Sequence, residues 1–233
     1  MATVVSNLIL EDQETRADMK LLTIQQKIFV IFRRRRMVKF YAMFRPSEET
    51  RLLDIGGAPN TWIAESRYDS SFSITLVNLR FPDPAVRTDG RFTAVNGNAT
   101  NLPFADASFD IAFSNSVIEH MTKWEWQQAF AAEARRVAKK LWIQTPARSF
   151  PLEPHLLAPF FQYLPRPLQI RMARHFTLWG LLTKPNAVRV DEMLSDIRLL
   201  TCQEMKQLFP DCLILKERVL GLTKSYVAVR GFD

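Results

Sequence analysis

The stretch RLLDIGGAPN, residues 51–60, begins as a short apolar run and ends in an acid, two adjacent glycines and a proline. A turn alone needs one glycine. Two of them, directly after an apolar strand that carries an Asp, imply close packing against the main chain with a carboxylate nearby. The run RLLDI reads as a buried strand, and the segment after Pro59, NTWIAESRY, reads as a helix.

Outward from this point strands and helices alternate. SITLVNL (73–79), FTAVN (92–96), SFDIAFSNS (108–116) and KKLWIQT (139–145) read as strands. A helix is expected from Thr122 to Val137, opened by a capping box between Thr122 and Glu125. A second capping box, Thr201 with Glu204, opens a helix that ends at Phe209-Pro210. CLILKERVL and TKSYVAV, joined through Gly221, read as an antiparallel pair. Short strands alternating with helices predict a mostly parallel sheet covered on both faces. Ligands of such sheets lie at the carboxyl ends of the strands, beside the switch in strand order. Asp54 to Asn60, Asn78, Asn98 and Ser114 to His120 all follow strand ends.

The 233 residues suffice for one large domain or a domain with an insertion. Apolar and charged fractions of 47% and 24% are those of an ordinary globular chain. No apolar run is long enough to span a bilayer, and the N-terminus lacks the pattern of a secretory signal, so a cytoplasmic protein is expected. Cys202 and Cys212 have no metal-ligand spacing and read as reduced, buried thiols. The formal excess of +7 is concentrated in residues 27–45, KIFVIFRRRRMVKFYAMFR, which hold seven basic residues and no acid. Such a basic, aromatic segment suits a membrane surface, a nucleic acid or an anionic substrate, or else the solvated face of a docked helix. Residues 150–185, rich in proline and aromatics, interrupt the alternation as an insertion able to roof the site.

LLDIGGAP, then NGNATNLPFADASFDIAFSNSVIEHM and RRVAKKLWIQTP, resembles the class I S-adenosylmethionine-dependent methyltransferases, of the type 11 group, over about residues 45–150. The resemblance implies a Rossmann-like α/β fold with a mostly parallel sheet, an antiparallel C-terminal strand and helices on both faces. It also implies a division into a basic helical extension, 1–48, and a methyltransferase domain, 49–233, with the insertion inside it. S-adenosyl-L-methionine is the implied cofactor. Asp54, Gly56, Gly57, Asn78, Asn98, Ala99 and Ser114 are its expected contacts, the glycines admitting the cofactor where a Cβ would collide. Three positions depart from the family pattern. Its second loop glycine comes one place early here, and amides (Asn78, Asn98) stand where relatives carry acids; for both, capping of their own loops is the competing reading.

Methyl transfer from a sulfonium is an in-line displacement whose leaving group needs no acid. The protein must align the acceptor and take its proton. His120 can be that base, since histidine titrates near neutrality, and Glu119 can orient it or meet a ligand. The competing reading is a Glu–His pair that fixes the loop. Ser116 stands where metal-binding relatives carry a further Glu, so no metal is expected. Arg148, Glu153 and His155 are candidates for the acceptor pocket. The expected acceptor is a small molecule or a lipid-linked one, methylated at oxygen, with peripheral membrane contact through 27–45. Two other readings stay open: a degenerate fold serving as a binding or scaffold protein, and a nucleic-acid methyltransferase. The second is disfavoured because Ser114-Asn115-Ser116-Val117 replaces the Asn/Asp-Pro-Pro-aromatic signature. The sequence does not set the oligomeric state.

Overall fold

The computed structural model describes residues 32–63, 72–80, 90–153 and 158–232. It divides into two compact units, one of 36–149 with 197–233, the other of 150–196 with the residues preceding Arg36.

The larger unit is built on one seven-stranded sheet. Its strands are β1 (Arg51–Ile55), β2 (Ser73–Asn78), β3 (Phe92–Asn96), β4 (Phe109–Asn115), β5 (Ala138–Pro146), β8 (Leu213–Val219) and β9 (Leu222–Arg230). The order is β3-β2-β1-β4-β5-β9-β8. Strands one to five are mutually parallel, and β9 runs antiparallel to both β5 and β8. The first crossover reversal falls between β1 and β4, so the ends of those two strands flank the switch point. The expected fold class holds, and every predicted strand of the sheet forms within one or two residues of its predicted bounds.

Both faces are covered because the strand residues alternate. Leu53 and Ile55 point into a core completed by Phe130, Ala134 and Val137 of α3 (Trp124–Val137) and by Met205 and Leu208 of α7 (Cys202–Leu208). Leu52, Ile74 and Trp142 point to the other face. There they meet Met37, Phe40 and Phe44 of α1 (residues 32–44) and Trp62 of α2 (Pro59–Ile63). Phe40 is the hub of this aromatic core, in edge contact with Trp62, Phe113 and Trp142. Within the basic, aromatic segment, therefore, the aromatics of 36–44 are core residues. Arg36 is itself buried, so the arginine run is not one continuous solvated patch.

Two local expectations need correction. α3 starts at Trp124 with Lys123 as its N-cap and no side-chain cap, so Thr122 lies one residue too early to form a box with Glu125. The Thr201–Glu204 box, by contrast, forms completely, with both reciprocal bonds present. The helix after Pro59 is described only to Ile63, the rest of the predicted segment lying outside the described residues. The cysteines are free but half-buried rather than buried, and burial still pushes the Cys212 thiol up to about 12.

The smaller unit contains a two-stranded ribbon, β6 (Leu152–Glu153) with β7 (Ala158–Pro159), and three helices, α4 (Arg166–Phe176), α5 (Leu178–Thr183) and α6 (Ala187–Ser195). Its own small core gathers Ala158, Phe161, Ala173, Trp179 and Val190. Thr177 caps α5 through its hydroxyl, and Asn186 caps α6 through its amide oxygen.

Candidate active site

At the carboxyl end of β1 the chain turns through Gly56, whose φ of +77° is the left-handed region that glycine enters without strain. The bare α-carbons there are explained by the protein's own side chains. A Cβ at Gly56 would stand 2.5 Å from a methyl of Val117, and one at Gly57 would stand 1.8 Å from the Asp54 carboxylate. The two glycines therefore make room for Val117 and Asp54, and Gly56 also lines the hollow beside it. Asp54 is buried and accepts a hydrogen bond from Trp62 Nε1 at 2.8 Å. Its other carboxylate oxygen, Oδ1, is buried without a hydrogen-bond partner. Burial pushes this carboxyl up to about 7 against the lowering effect of the Trp62 bond.

The hollow beside Gly56 is open. A cavity of about 660 Å³ is lined by Gly56, Val77, Asn78, Gly97 to Thr100, Val117, His120, Met121 and Trp126, together with Leu79 and Arg80. Of the expected cofactor contacts, Gly56, Asn78, Asn98 and Ala99 line it; Gly57, Asp54 and Ser114 do not. Asn78 donates through Nδ2 to the Gly57 carbonyl at 2.8 Å, pinning the glycine loop and leaving its amide oxygen available. Asn98 accepts from the Thr100 amide and hydroxyl, at 3.0 and 2.9 Å, which closes its own turn. Ser114 is fully buried, and its hydroxyl ties β4 to β1 by donating to the Ile55 carbonyl at 2.9 Å.

The loop bearing Asn98 and Ala99 is anchored to α3. Glu133 accepts from the Leu102 amide at 2.6 Å, while Arg136 grips Glu133, Asp106 and the carbonyls of Leu102 and Phe104. These contacts hold the Glu133 carboxyl below the usual range, the Arg136 hydrogen bond leading.

After β4, Ser116 adopts a left-handed φ of +58° and the chain enters a short 3-10 turn, Ile118–His120. The turn separates the two predicted catalytic residues. His120 is exposed and lines the cavity. Glu119 is fully buried and does not line it, its carboxylate accepting from Thr145 Oγ1 at 3.0 Å. The turn is braced from behind by Gln127, which donates to the carbonyls of Ile118 and Arg198, and by the Arg198 amide, which donates to the Glu119 carbonyl at 2.7 Å. Arg198 in turn holds Glu204 at 2.5 Å and lies over the Trp124 ring.

Sequence reasoning missed Arg36. It pairs in bidentate fashion with Glu217 at 2.8 and 3.0 Å, and donates to Asn115 Oδ1 and, at 2.9 Å, to Gln144 Oε1. The guanidinium joins α1 to the ends of β4 and β5 and to β8. Its signal, one Arg at the inner spacing of Met37, Phe40 and Phe44, was masked by three neighbouring arginines. Beside it, burial and the Arg36 charge bring the Lys224 ammonium down to about 8. Arg148 is exposed after β5 and outside the cavity lining. The side chain of Glu153 and all of His155 lie outside what is described. Among the described residues no group of three or more His, Cys, Asp or Glu side chains is placed to hold a metal, and no helix is long and apolar enough to cross a membrane.

Residues 68–141 match the family model described as a methyltransferase domain. No curated protein matches the sequence. Among solved structures, the chain is similar to the YcgJ protein of Bacillus subtilis at 20% identity and a TM-score of 0.50, over 80% of this chain and 70% of that one. It is also similar to phosphoethanolamine N-methyltransferase 2 of Haemonchus contortus at 16% identity and a TM-score of 0.50, over 74% of this chain and 36% of that one. The strand order and the likeness to these structures are those of a Rossmann-like methyltransferase fold, and over residues 68–141 the chain is similar to methyltransferase domains.

Proposed function

We propose that this protein transfers the methyl group of S-adenosylmethionine to an oxygen of a small-molecule or lipid-linked acceptor. The observation that carries this reading is the continuity of one cavity from Gly56 and Asn78, at the ends of β1 and β2, to His120 beyond β4. Its volume falls within the roughly 300–1,000 Å³ of ligand pockets. The Gly56 backbone, the Asn78 amide oxygen and the Asn98–Ala99 turn would hold the donor, and Val117 offers it an apolar wall. When bound, the donor supplies a methyl group made electrophilic by the sulfonium. His120 accepts the acceptor's proton, while Met121 and Trp126 limit the access of water. Glu119 serves as a buried brace for the turn, and the catalytic base is left to His120 alone.

Isothermal titration with S-adenosylmethionine tests the reading. Binding is expected, and Asn78→Ala should weaken it about tenfold, the value of one hydrogen bond at the strong end of its range. No heat and no thermal shift at millimolar donor would reject it. With an acceptor in hand, His120→Ala should lower kcat by roughly 10²–10⁴ while leaving donor affinity in place.

A second reading, a binding or scaffold protein, draws support from a lining that carries no carboxylate among the described residues. Transfer of labelled methyl from the donor into any component of a cell extract, abolished by Gly56→Arg, would exclude it.

A further inference from the structure

Two large apolar side chains stand exposed in the wall of the cavity. Leu79, just past β2, is 76% exposed, and Trp126, in the first turn of α3, is 45% exposed. Both line the cavity, together with half-buried Val117 and Met121. The buried face of α3 is made by Gln127, Phe130, Ala131, Ala134 and Val137, so Trp126 lies outside the core of that helix. Single exposed apolar groups are ordinary on a protein surface. Two of them in the lining of one cavity give it a wall suited to an apolar ligand surface. Lys123 Nζ lies over the Trp126 ring, 4.8 Å from its centroid. That cation–π contact occupies one face of the indole and restrains it, leaving the other face for a flat partner.

The polar groups beyond β3 are committed to their own turn. Asn98 Oδ1 already accepts from the Thr100 amide and hydroxyl, and the Asn98 carbonyl accepts from the Asn101 amide at 2.9 Å. Among the described residues the lining holds no carboxylate. A planar heterocycle in this cavity therefore finds aromatic and apolar surface for its faces. For the hydrogens on its edge, the described residues beyond β3 offer no uncommitted amide or carboxylate oxygen in the lining.

We propose that Trp126 stacks on the purine of the bound donor, with Leu79 as a further apolar contact, and that the site reads this base by its face and not by its 6-amino edge. The inference rests on the methyl-transfer reading, from which it takes the donor, and makes Trp126 the residue that selects for a flat base. Stacking of this kind tolerates changes at the base edge, because every purine presents a π-face. A site built to hydrogen-bond the 6-amino group would instead reject a ligand lacking it by several orders of magnitude.

Isothermal titration of the full chain with S-adenosylhomocysteine and with S-inosylhomocysteine provides the test. The two ligands differ only in the base, where a carbonyl replaces the 6-amino group and N1 carries a hydrogen. Their dissociation constants should agree within about tenfold, and Trp126→Ala should weaken both by about tenfold or more. Trp126→Phe keeps an aromatic face and should retain most of the affinity. Trp126 is exposed, so an unchanged thermal midpoint will show that the variants fold. An inosyl ligand more than about tenfold weaker than the adenosyl one would assign recognition to the base edge and overturn the proposal. Undiminished binding of both ligands to Trp126→Ala would overturn it too, while leaving the donor reading intact. A wild-type protein that binds neither these ligands nor S-adenosylmethionine would reject the donor reading itself, and the stacking with it.

Discussion

The ends of β1 and β4 face the same cavity, and each is followed at once by a residue in the left-handed conformation, Gly56 at +77° and Ser116 at +58°. The two turns interlock, because the residue after Ser116 is Val117, whose methyl groups occupy the space that a Cβ on Gly56 would need. They reach the same backbone geometry by different means. At β1 the side chain is deleted. At β4 a serine is retained and held by polar contacts, its amide donating to the Gln144 carbonyl at 3.1 Å and its hydroxyl to Gln144 Oε1 at 3.1 Å. Gln144 is in turn held by Arg36. One strand end depends on local space and the other on a network whose members lie far apart in the chain. Substitutions at the first should therefore fail abruptly, and those at the second should be graded.

The sharpest break is expected at Gly57. A methyl group there would coincide with the Asp54 carboxylate, which is buried and held by Trp62 Nε1. Gly57→Ala should cost more than about 4 kcal/mol, placing it in the rare class of severe substitutions. Chemical denaturation checks this. A loss below about 1 kcal/mol would mean that the loop can move and that β1's end is no stiffer than β4's.

Asp54 sharpens the same side of the comparison through pH. Burial raises its carboxyl to about 7 in the folded protein, whereas an unfolded Asp titrates near 4. Between those values the folded state holds a proton that the unfolded state has lost, so stability falls as pH rises. The slope should reach at most about 1.4 kcal/mol per pH unit and accumulate to no more than about 4 kcal/mol across the window. Asp54→Asn keeps an acceptor for Trp62 Nε1 and should flatten this part of the stability profile. Equal slopes in the two proteins between pH 4 and 7 would show that Asp54 ionises normally.

How much could be read beforehand follows the same division. The glycine pair, the alternating strands and the Thr201–Glu204 box are local patterns, and the fold was legible from them. The lining of the cavity was legible where a strand end alone sets it, as at Gly56, Asn78, Asn98 and Ala99. It was not legible where neighbouring residues point in opposite directions out of a tight turn, as with exposed His120 and buried Glu119. Nor could spacing show that Ser114 faces into the sheet, or that the bare α-carbons accommodate Val117 and Asp54. Ser114 meets Ile55 across 59 positions, and Val117 meets Gly56 across a similar span. Arg36 with Glu217, 181 positions apart, is the extreme case.

Arg36 is therefore the place to break the network side. Its side chain is 5% exposed and that of Glu217 16%. Arg36→Met would leave the Glu217 carboxylate buried with the Ser225 hydroxyl but without its cation. A loss of about 3 kcal/mol is expected, the lower end for breaking a buried pair because Glu217 keeps some solvent. Arg36→Met with Glu217→Met should recover part of it, and a double variant no more stable than the single one would mean that the charge pair is not the main term. Because the Glu217 carboxyl is held below its usual range in spite of burial, with the Arg36 charge the first of the lowering causes, the pair's contribution should fade in acid.

The smallest effect is expected at Ser116, and its sign makes the comparison most pointed. Ser116→Gly removes the strain of a left-handed serine, about 1 kcal/mol, and also removes the hydrogen bond to Gln144, worth about as much. The two should cancel to within about 1 kcal/mol. Ser116→Ala keeps the strain and loses the bond, so it should be less stable than Ser116→Gly. Thermal denaturation of the two variants side by side distinguishes the contributions, since they share the lost hydroxyl and differ in backbone freedom. If Ser116→Ala proved the more stable, the left-handed turn after β4 would not be a strained conformation maintained by its hydrogen bonds, and the contrast with Gly56 would reduce to a difference in available space.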